Sequence, residues 1–136
     1  MLNDGRQPLV LIVEDDPILQ QALQKFLEIL HFDVITARTA DDALDHIHNQ
    51  RIDAAIVDLC LPQGSGRDIV VSVPAHIPVI IFSGAPEQSC ELERLRPRTR
   101  LIAKPYSLLL LVETLREMMQ LNGQQADGQA SDPTNA

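Results

Sequence analysis

Aromatic side chains are scarce in this sequence: they make up 3% of 136 residues, with 1 Tyr, 3 Phe and no Trp. A stacking platform for unpaired bases or an aromatic cage for a cofactor has no material to be built from. Positive charge is also short, with 11 Lys and Arg against 19 Asp and Glu and a net charge of -8. That balance excludes the phosphate-neutralising surface of a protein that binds nucleic acid directly. No apolar run approaches the roughly 18 to 20 residues of a membrane span, and Met1 to Pro8 lacks the apolar stretch of a signal peptide. No membrane contact and a cytoplasmic location are therefore expected. The two cysteines, Cys60 and Cys90, are read as reduced thiols rather than a disulfide.

What is present is an ordinary globular composition, 45% hydrophobic and 22% charged, in a length that suits one domain with one core. Short continuous apolar runs recur at Pro8–Val13, Ala54–Val57, Pro78–Phe82 and Leu101–Ala103, with a weaker one at Asp33–Thr36. Runs of that length suit strands buried on both faces. Segments with helical spacing lie between them, which is the pattern of a three-layer α/β architecture around a parallel sheet. The first helix is the clearest. Asp16 caps it, Pro17 takes the first position, and Ile18, Leu19, Ala22, Leu23, Phe26, Leu27 and Leu30 read as one apolar stripe ending near His31. A second helix starts at Thr39, a third fits between Gly66 and Pro74 with barely two turns, a weak fourth covers Ala85–Leu95, and a fifth runs from Ser107 to Leu121. Residues 1–7 read as an N-terminal extension and 8–122 as the folded domain. Residues 123–136, composed of Gly, Gln, Ala, Ser, Asp, Pro, Thr and Asn, read as a flexible tail.

In an open α/β sheet the ligand lies beyond the carboxyl ends of the strands, near the point where strand order reverses. The first strand ends in Glu14, Asp15 and Asp16, and the third in Asp58. Carboxylates gathered at one rim repel one another unless neutralised, and a hard divalent cation such as Mg²⁺, which needs only one or two protein carboxylates, is the natural neutraliser. Asp16, just before Pro17, is read as a helix cap first. Ser83 and Gly84 follow the fourth strand, and Lys104 and Pro105 follow the fifth. Ser offers a hydroxyl donor, Gly leaves the backbone approachable, and Lys is a compact cation suited to a phosphoryl group. Together they describe a place for a metal-bound phosphoryl group.

The segments LVLIVEDDP, IVDLCLPQGSG, IIFSG and LIAKPY, in this order, resemble the receiver domain of two-component response regulators over about Leu9–Leu121. The resemblance implies a doubly wound, flavodoxin-like sheet of five parallel strands in the order 2-1-3-4-5. It implies that Asp58 is the phosphoacceptor for a phosphohistidine on a histidine kinase or histidine phosphotransfer protein. It further implies that Asp15, Asp58 and the Cys60 backbone carbonyl hold Mg²⁺, with Glu14 acting through water. Lys104 is expected to contact the phosphoryl oxygens and Ser83 to move toward them. Gly66 matches the small residue of the loop after the phosphoacceptor, and Pro105 the residue after the family's Lys. The implied output is a protein contact with a downstream target, from a signalling module rather than an enzyme.

The sequence departs from the family at Leu101, where an aromatic switch residue commonly stands. The run Leu108–Leu111 holds more leucine than one buried stripe needs. It is read either as a partner or homodimer contact on the fourth helix, fifth strand and fifth helix, or as packing under a short neighbouring helix. Two features are expected to be solvated: His46 with His48, and the alternating arginines of RLRPRTR at 94–100. A stand-alone receiver is the leading expectation, and a receiver cut from a hybrid kinase or longer regulator is the alternative. An Asp-nucleophile phosphatase of the haloacid dehalogenase type ranks far below, because Cys60 stands where its second acid is needed. A flavin carrier ranks lowest, since the triacidic first loop repels a cofactor phosphate.

Overall fold

The computed structural model describes residues 5–59, 61, 65–84, 86–104 and 107–119, with the side chains of 86–90 excepted. Cys60, Pro105, the Cys90 side chain and the tail expected at 123–136 lie outside the described residues. Strands β1 (Leu9–Val13), β2 (Asp33–Ala37), β3 (Ala54–Asp58), β4 (Val79–Ser83) and β5 (Thr99–Ala103) alternate with five helices. The helices are α1 (Pro17–Ile29), α2 (Ala40–Asn49), α3 (Gly66–Ser72), α4 (Pro86–Leu95) and α5 (Leu108–Met119). All strand pairs are parallel and the order is β2-β1-β3-β4-β5, as the resemblance implied.

The continuous apolar strands follow from two buried faces. Leu11, Val13, Ala55, Val57, Val79 and Ile81 point to one core, which Ala43 of α2, Ile69 and Val70 of α3 and Leu92 of α4 complete. Their neighbours Val10, Ile12, Ala54, Ile56, Ile80 and Phe82 point to the other, filled by Leu23 and Leu27 of α1 and Leu111, Val112 and Leu115 of α5. Period-two alternation therefore divides each strand between two layers of helix, so neither face has room for polar residues. No helix among the described residues is long and apolar enough to cross a membrane.

Register brings the site residues to one rim. Val57 pairs with Ile81 and Asp58 with Phe82, Ser83 pairs with Ala103, and Val13 lies between Ala37 and Val57. The strand order reverses at β1 and β3, so the crevice of a doubly wound sheet opens over the ends of these two strands. Helix starts fix the turns beside it. The Asp16 carboxylate accepts the Ile18 N–H at 3.0 Å, Ser65 Oγ accepts the Asp68 N–H at 3.2 Å, and Ser107 Oγ accepts the Leu110 N–H at 3.3 Å. At the opposite rim Arg6 grips Asp53 through two bonds of 2.8 and 3.0 Å. Arg6 is thus fastened to the residue just before β3.

Three expectations are corrected. Ile18 is 80% exposed and Ala22 is also on the surface, so the buried stripe of α1 is narrower than its spacing suggests. His46 is half-buried, with Nε2 3.1 Å from the Thr36 carbonyl oxygen. Arg96 is only 6% exposed. Its guanidinium donates to the carbonyls of Pro97, Val73, Pro74 and Ile77 and to Thr99 Oγ1. It joins the turn before β4 to the turn before β5, where backbone acceptors at strand entries lack a sheet partner. Of the leucine run, Leu111 is buried, whereas Leu109 and Leu110 are 62% and 49% exposed.

Candidate functional site

Glu14 follows β1 directly and is held from three sides. Its N–H donates to the Ala37 carbonyl at 3.0 Å. Its own carbonyl accepts from Gln20 Nε2 at 3.0 Å, and its carboxylate Oε2 accepts the Asp16 N–H at 3.1 Å. Asp16 itself turns toward α1 as the cap, so it does not join the acids over the rim. Asp15 remains half-buried between these two anchored residues.

Asp58 ends β3 with 2% of its surface exposed. Its Oδ2 accepts a bond of 3.0 Å from Lys104 Nζ. The backbone sets that contact, because the Lys104 N–H bonds to the Ser83 carbonyl at 2.9 Å and so carries the hydrogen-bond ladder one residue past β5. A carboxylate oxygen from each of Glu14, Asp15 and Asp58 lies within 4.8 Å of the others. The expected juxtaposition of Glu14, Asp15, Asp58 and Lys104 is therefore present. Ser83 is buried at 2% exposure at the end of β4. Gly84 has open space around it, with no atom of the described residues beyond its chain neighbours within 4 Å of where a Cβ would stand. Gly66 is the reverse case, since a Cβ there would stand 2.8 Å from Leu59 Cα and 3.0 Å from the Asp58 carbonyl oxygen. The start of α3 can approach the Asp58 backbone only because that side chain is missing.

The electrostatics follow from crowding. Burial pushes Glu14 up from 4.5 to about 7, and the Asp58 charge adds to the rise, while the Asp16 amide and Lys104 pull the other way. Among the described residues no donor reaches the buried Glu14 Oε1, and a side-chain contact with Asp58 raises the carboxyl further. A buried carboxylate oxygen that no such donor reaches, beside two more carboxylates, is a donor set that fits a hard cation with oxygen ligands.

Leu101 is half-buried on the edge strand β5, packed against the core beneath α2, α3 and α4. Its N–H donates to the Glu93 carboxylate at 2.7 Å, so α4 is tied to β5 through the backbone of residue 101. Gln20 and Glu93 were not singled out from the sequence. Gln20 had a signal, because it lies three residues before Leu23 and seven before Leu27, on the buried face of α1. Glu93 had none, since its partner is a main-chain amide.

Residues 10–120 match the family model for the response regulator receiver domain. Among proteins, the chain is 30% identical over 117 residues to the transcriptional regulatory protein KdpE of Mycobacterium tuberculosis, a match covering 84% of this chain and 52% of KdpE. It is 28% identical over 117 residues to the polar-differentiation response regulator DivK of Brucella anthropi, covering 81% and 94% of the two chains. The chain thus spans about half the length of KdpE and of TcrX from the same mycobacterium, at 52% and 53%, and nearly all of DivK. Among solved structures, the CheY-like receiver domain protein of Methanospirillum hungatei superposes with a TM-score of 0.77 at 24% identity, over 85% of this chain and 95% of that one. The receiver domain of sensor histidine kinase PA1611 from Pseudomonas aeruginosa, solved with a magnesium ion in its active-site cleft, gives 0.71 at 22% identity over 84% and 98%. With its fold, its acidic rim and a family match along most of its length, this chain belongs to the receiver domains of two-component response regulators.

Proposed function

We propose that Asp58 accepts a phosphoryl group from a phosphohistidine on a histidine kinase or histidine phosphotransfer protein, and that the aspartyl phosphate alters a surface read by a downstream protein. One observation carries this reading: a nearly buried Asp58 carboxylate has Lys104 Nζ at 3.0 Å, with the Glu14 and Asp15 carboxylates gathered beside it. An Asp58 oxygen attacks phosphorus, the phosphorus–nitrogen bond breaks, and the donor imidazole leaves with the bonding electrons. Transfer of this kind asks for positioning and charge neutralisation more than covalent work by the protein.

Each residue has a part in that task. Lys104 holds the Asp58 carboxylate in place before transfer and faces the phosphoryl oxygens after it. Glu14, Asp15 and Asp58, with the Cys60 carbonyl, are the groups that would hold Mg²⁺, which when bound offsets negative charge on the phosphoryl oxygens. The magnesium ion in the PA1611 receiver supports that assignment. Ser83 Oγ serves as the hydroxyl donor to the attached group, with Gly84 leaving space beside it. Gly66 lets the start of α3 lie close against Leu59 and the Asp58 backbone. The added charge of roughly one to two units at Asp58 biases the loops around it. With Leu101 in place of an aromatic, the Leu101 amide and Glu93 join β5 to α4 instead of a rotating ring.

The test is incubation with acetyl phosphate and Mg²⁺ followed by intact-mass measurement. Gain of one phosphoryl group by the wild type and none by Asp58→Asn supports the reading, and equal labelling of the two rejects it.

A further inference from the structure

Gln20 is a polar residue on the core side of α1, 9% exposed. Its side-chain amide donates to two carbonyls, that of Glu14 at 3.0 Å and that of Ala37 at 3.2 Å. The Glu14 N–H reaches the same Ala37 oxygen at 3.0 Å. The amide therefore spans the ends of β1 and β2, and the main chain of Glu14 is held at both its N–H and its carbonyl. Immediately downstream, Asp16 is held by the first turn of α1. The turn that carries Glu14 and Asp15 is thus fixed on both sides of Asp15.

This bracing opposes a specific force. Three carboxylates within 4.8 Å of one another repel, and a turn free to relax would carry Glu14 and Asp15 away from Asp58. We infer that Gln20 is a positioning residue for divalent-cation binding: its two amide protons hold the Glu14 carbonyl and the end of β2 so that the acidic cluster stays assembled. An amide suits this place because it brings two donors to two acceptors. Met has the same length and no donor, and Glu would set a carboxylate against two carbonyl oxygens. The inference rests on the proposed cation site and adds a residue that touches neither the cation nor the phosphoryl group. Partners that orient the groups holding a metal typically change affinity by tenfold or more when removed.

The experiment compares the full chain with Gln20→Met and with Leu23→Val, a core change on the same helix far from the acids in role. Mg²⁺ affinity is measured by titration calorimetry, and melting temperature is recorded for each. Gln20→Met is expected to bind Mg²⁺ about tenfold more weakly. It should also need correspondingly more Mg²⁺ for half-maximal labelling of Asp58 by acetyl phosphate, with a rate at saturating Mg²⁺ near that of the wild type. Leu23→Val is expected to melt earlier while keeping wild-type affinity. Gln20→Ala gives the same readouts if the Met variant does not fold. Wild-type Mg²⁺ affinity in the Gln20 variants overturns the inference, as does an equal loss in a Leu23→Val protein of matched melting temperature. A wild-type chain that binds no Mg²⁺ and takes no phosphoryl group overturns the functional reading together with it. Normal wild-type binding with an unaffected Gln20→Met counts against Gln20 alone.

Discussion

Glu14→Gln should stabilise the metal-free protein at pH 8. In the folded chain the Glu14 carboxyl is raised from 4.5 to about 7, chiefly by burial. A carboxyl raised on folding binds more protons in the folded than in the unfolded state. Its destabilising effect is therefore absent below the unfolded value, grows as pH rises between 4.5 and about 7, and is complete above that. At about 1.4 kcal/mol per pKa unit the displacement sets a ceiling of about 3 kcal/mol, which solvent screening and the shared titration with Asp58 lower. Gln keeps the shape and the acceptor for the Asp16 amide while removing the charge. Urea unfolding in chelator across pH 4.5 to 8 measures the difference directly. The variant's advantage over wild type should grow from near zero to at most about 3 kcal/mol across that range. Mg²⁺ at pH 8 should reverse the order, because only the wild type gains the full charge set for the cation. A Glu14→Gln protein that is less stable than wild type at pH 8 without metal, or a difference that does not vary with pH, refutes the reasoning.

Three further outcomes follow from local geometry. Gly66→Ala sets a Cβ 2.8 Å from Leu59 Cα and should cost about 1–3 kcal/mol, measured by urea unfolding, together with slower labelling of Asp58 as the loop is pushed outward. Arg96→Met removes the donor from the carbonyls of Val73 and Ile77, while the Pro74 carbonyl keeps the Ile77 N–H at 3.0 Å; at about 1–3 kcal/mol for each stranded buried acceptor, a loss above about 2 kcal/mol is expected in the same assay. Arg96→Lys should restore only part of it, because one ammonium cannot span the set. Asp16→Ala loses the α1 cap, worth about 1 kcal/mol. Asp16→Asn should retain most of that stability, and Mg²⁺ affinity by calorimetry should fall far less than in Asp15→Asn.

The elements that could be read from sequence are those whose chemistry is continuous along the chain. Strands covered on both faces must be apolar throughout, so β1, β3 and β4 declared themselves, and the residues directly after them fell at one rim of any parallel sheet. That is why Glu14, Asp15, Asp58, Ser83 and Lys104 are legible together in the sequence. The misread residues are those whose partners are main-chain groups distant in sequence. Arg96 sits among alternating arginines that look solvated, but the carbonyls that enclose it belong to turns around Val73 and Ile77, and no side-chain pattern announces an unpaired carbonyl. Ile18 fits the apolar spacing of α1, but at roughly 100° per residue it lies opposite the buried Leu27 and well round from Leu23, on the face it shares with the exposed Ala22. Gln20 was passed over because its neighbours on that face are apolar and its acceptors are the carbonyls of Glu14 and Ala37.

The most direct test of phosphoacceptance at Asp58 is peptide-level localisation of the phosphoryl group after incubation with a phosphorylated histidine phosphotransfer protein, with Mg²⁺ and with chelator. Label confined to the peptide carrying Asp58, dependent on Mg²⁺ and lost in Lys104→Ala or greatly slowed, is the predicted result. Label on any other residue, or label on Asp58 that forms equally well in chelator, contradicts it.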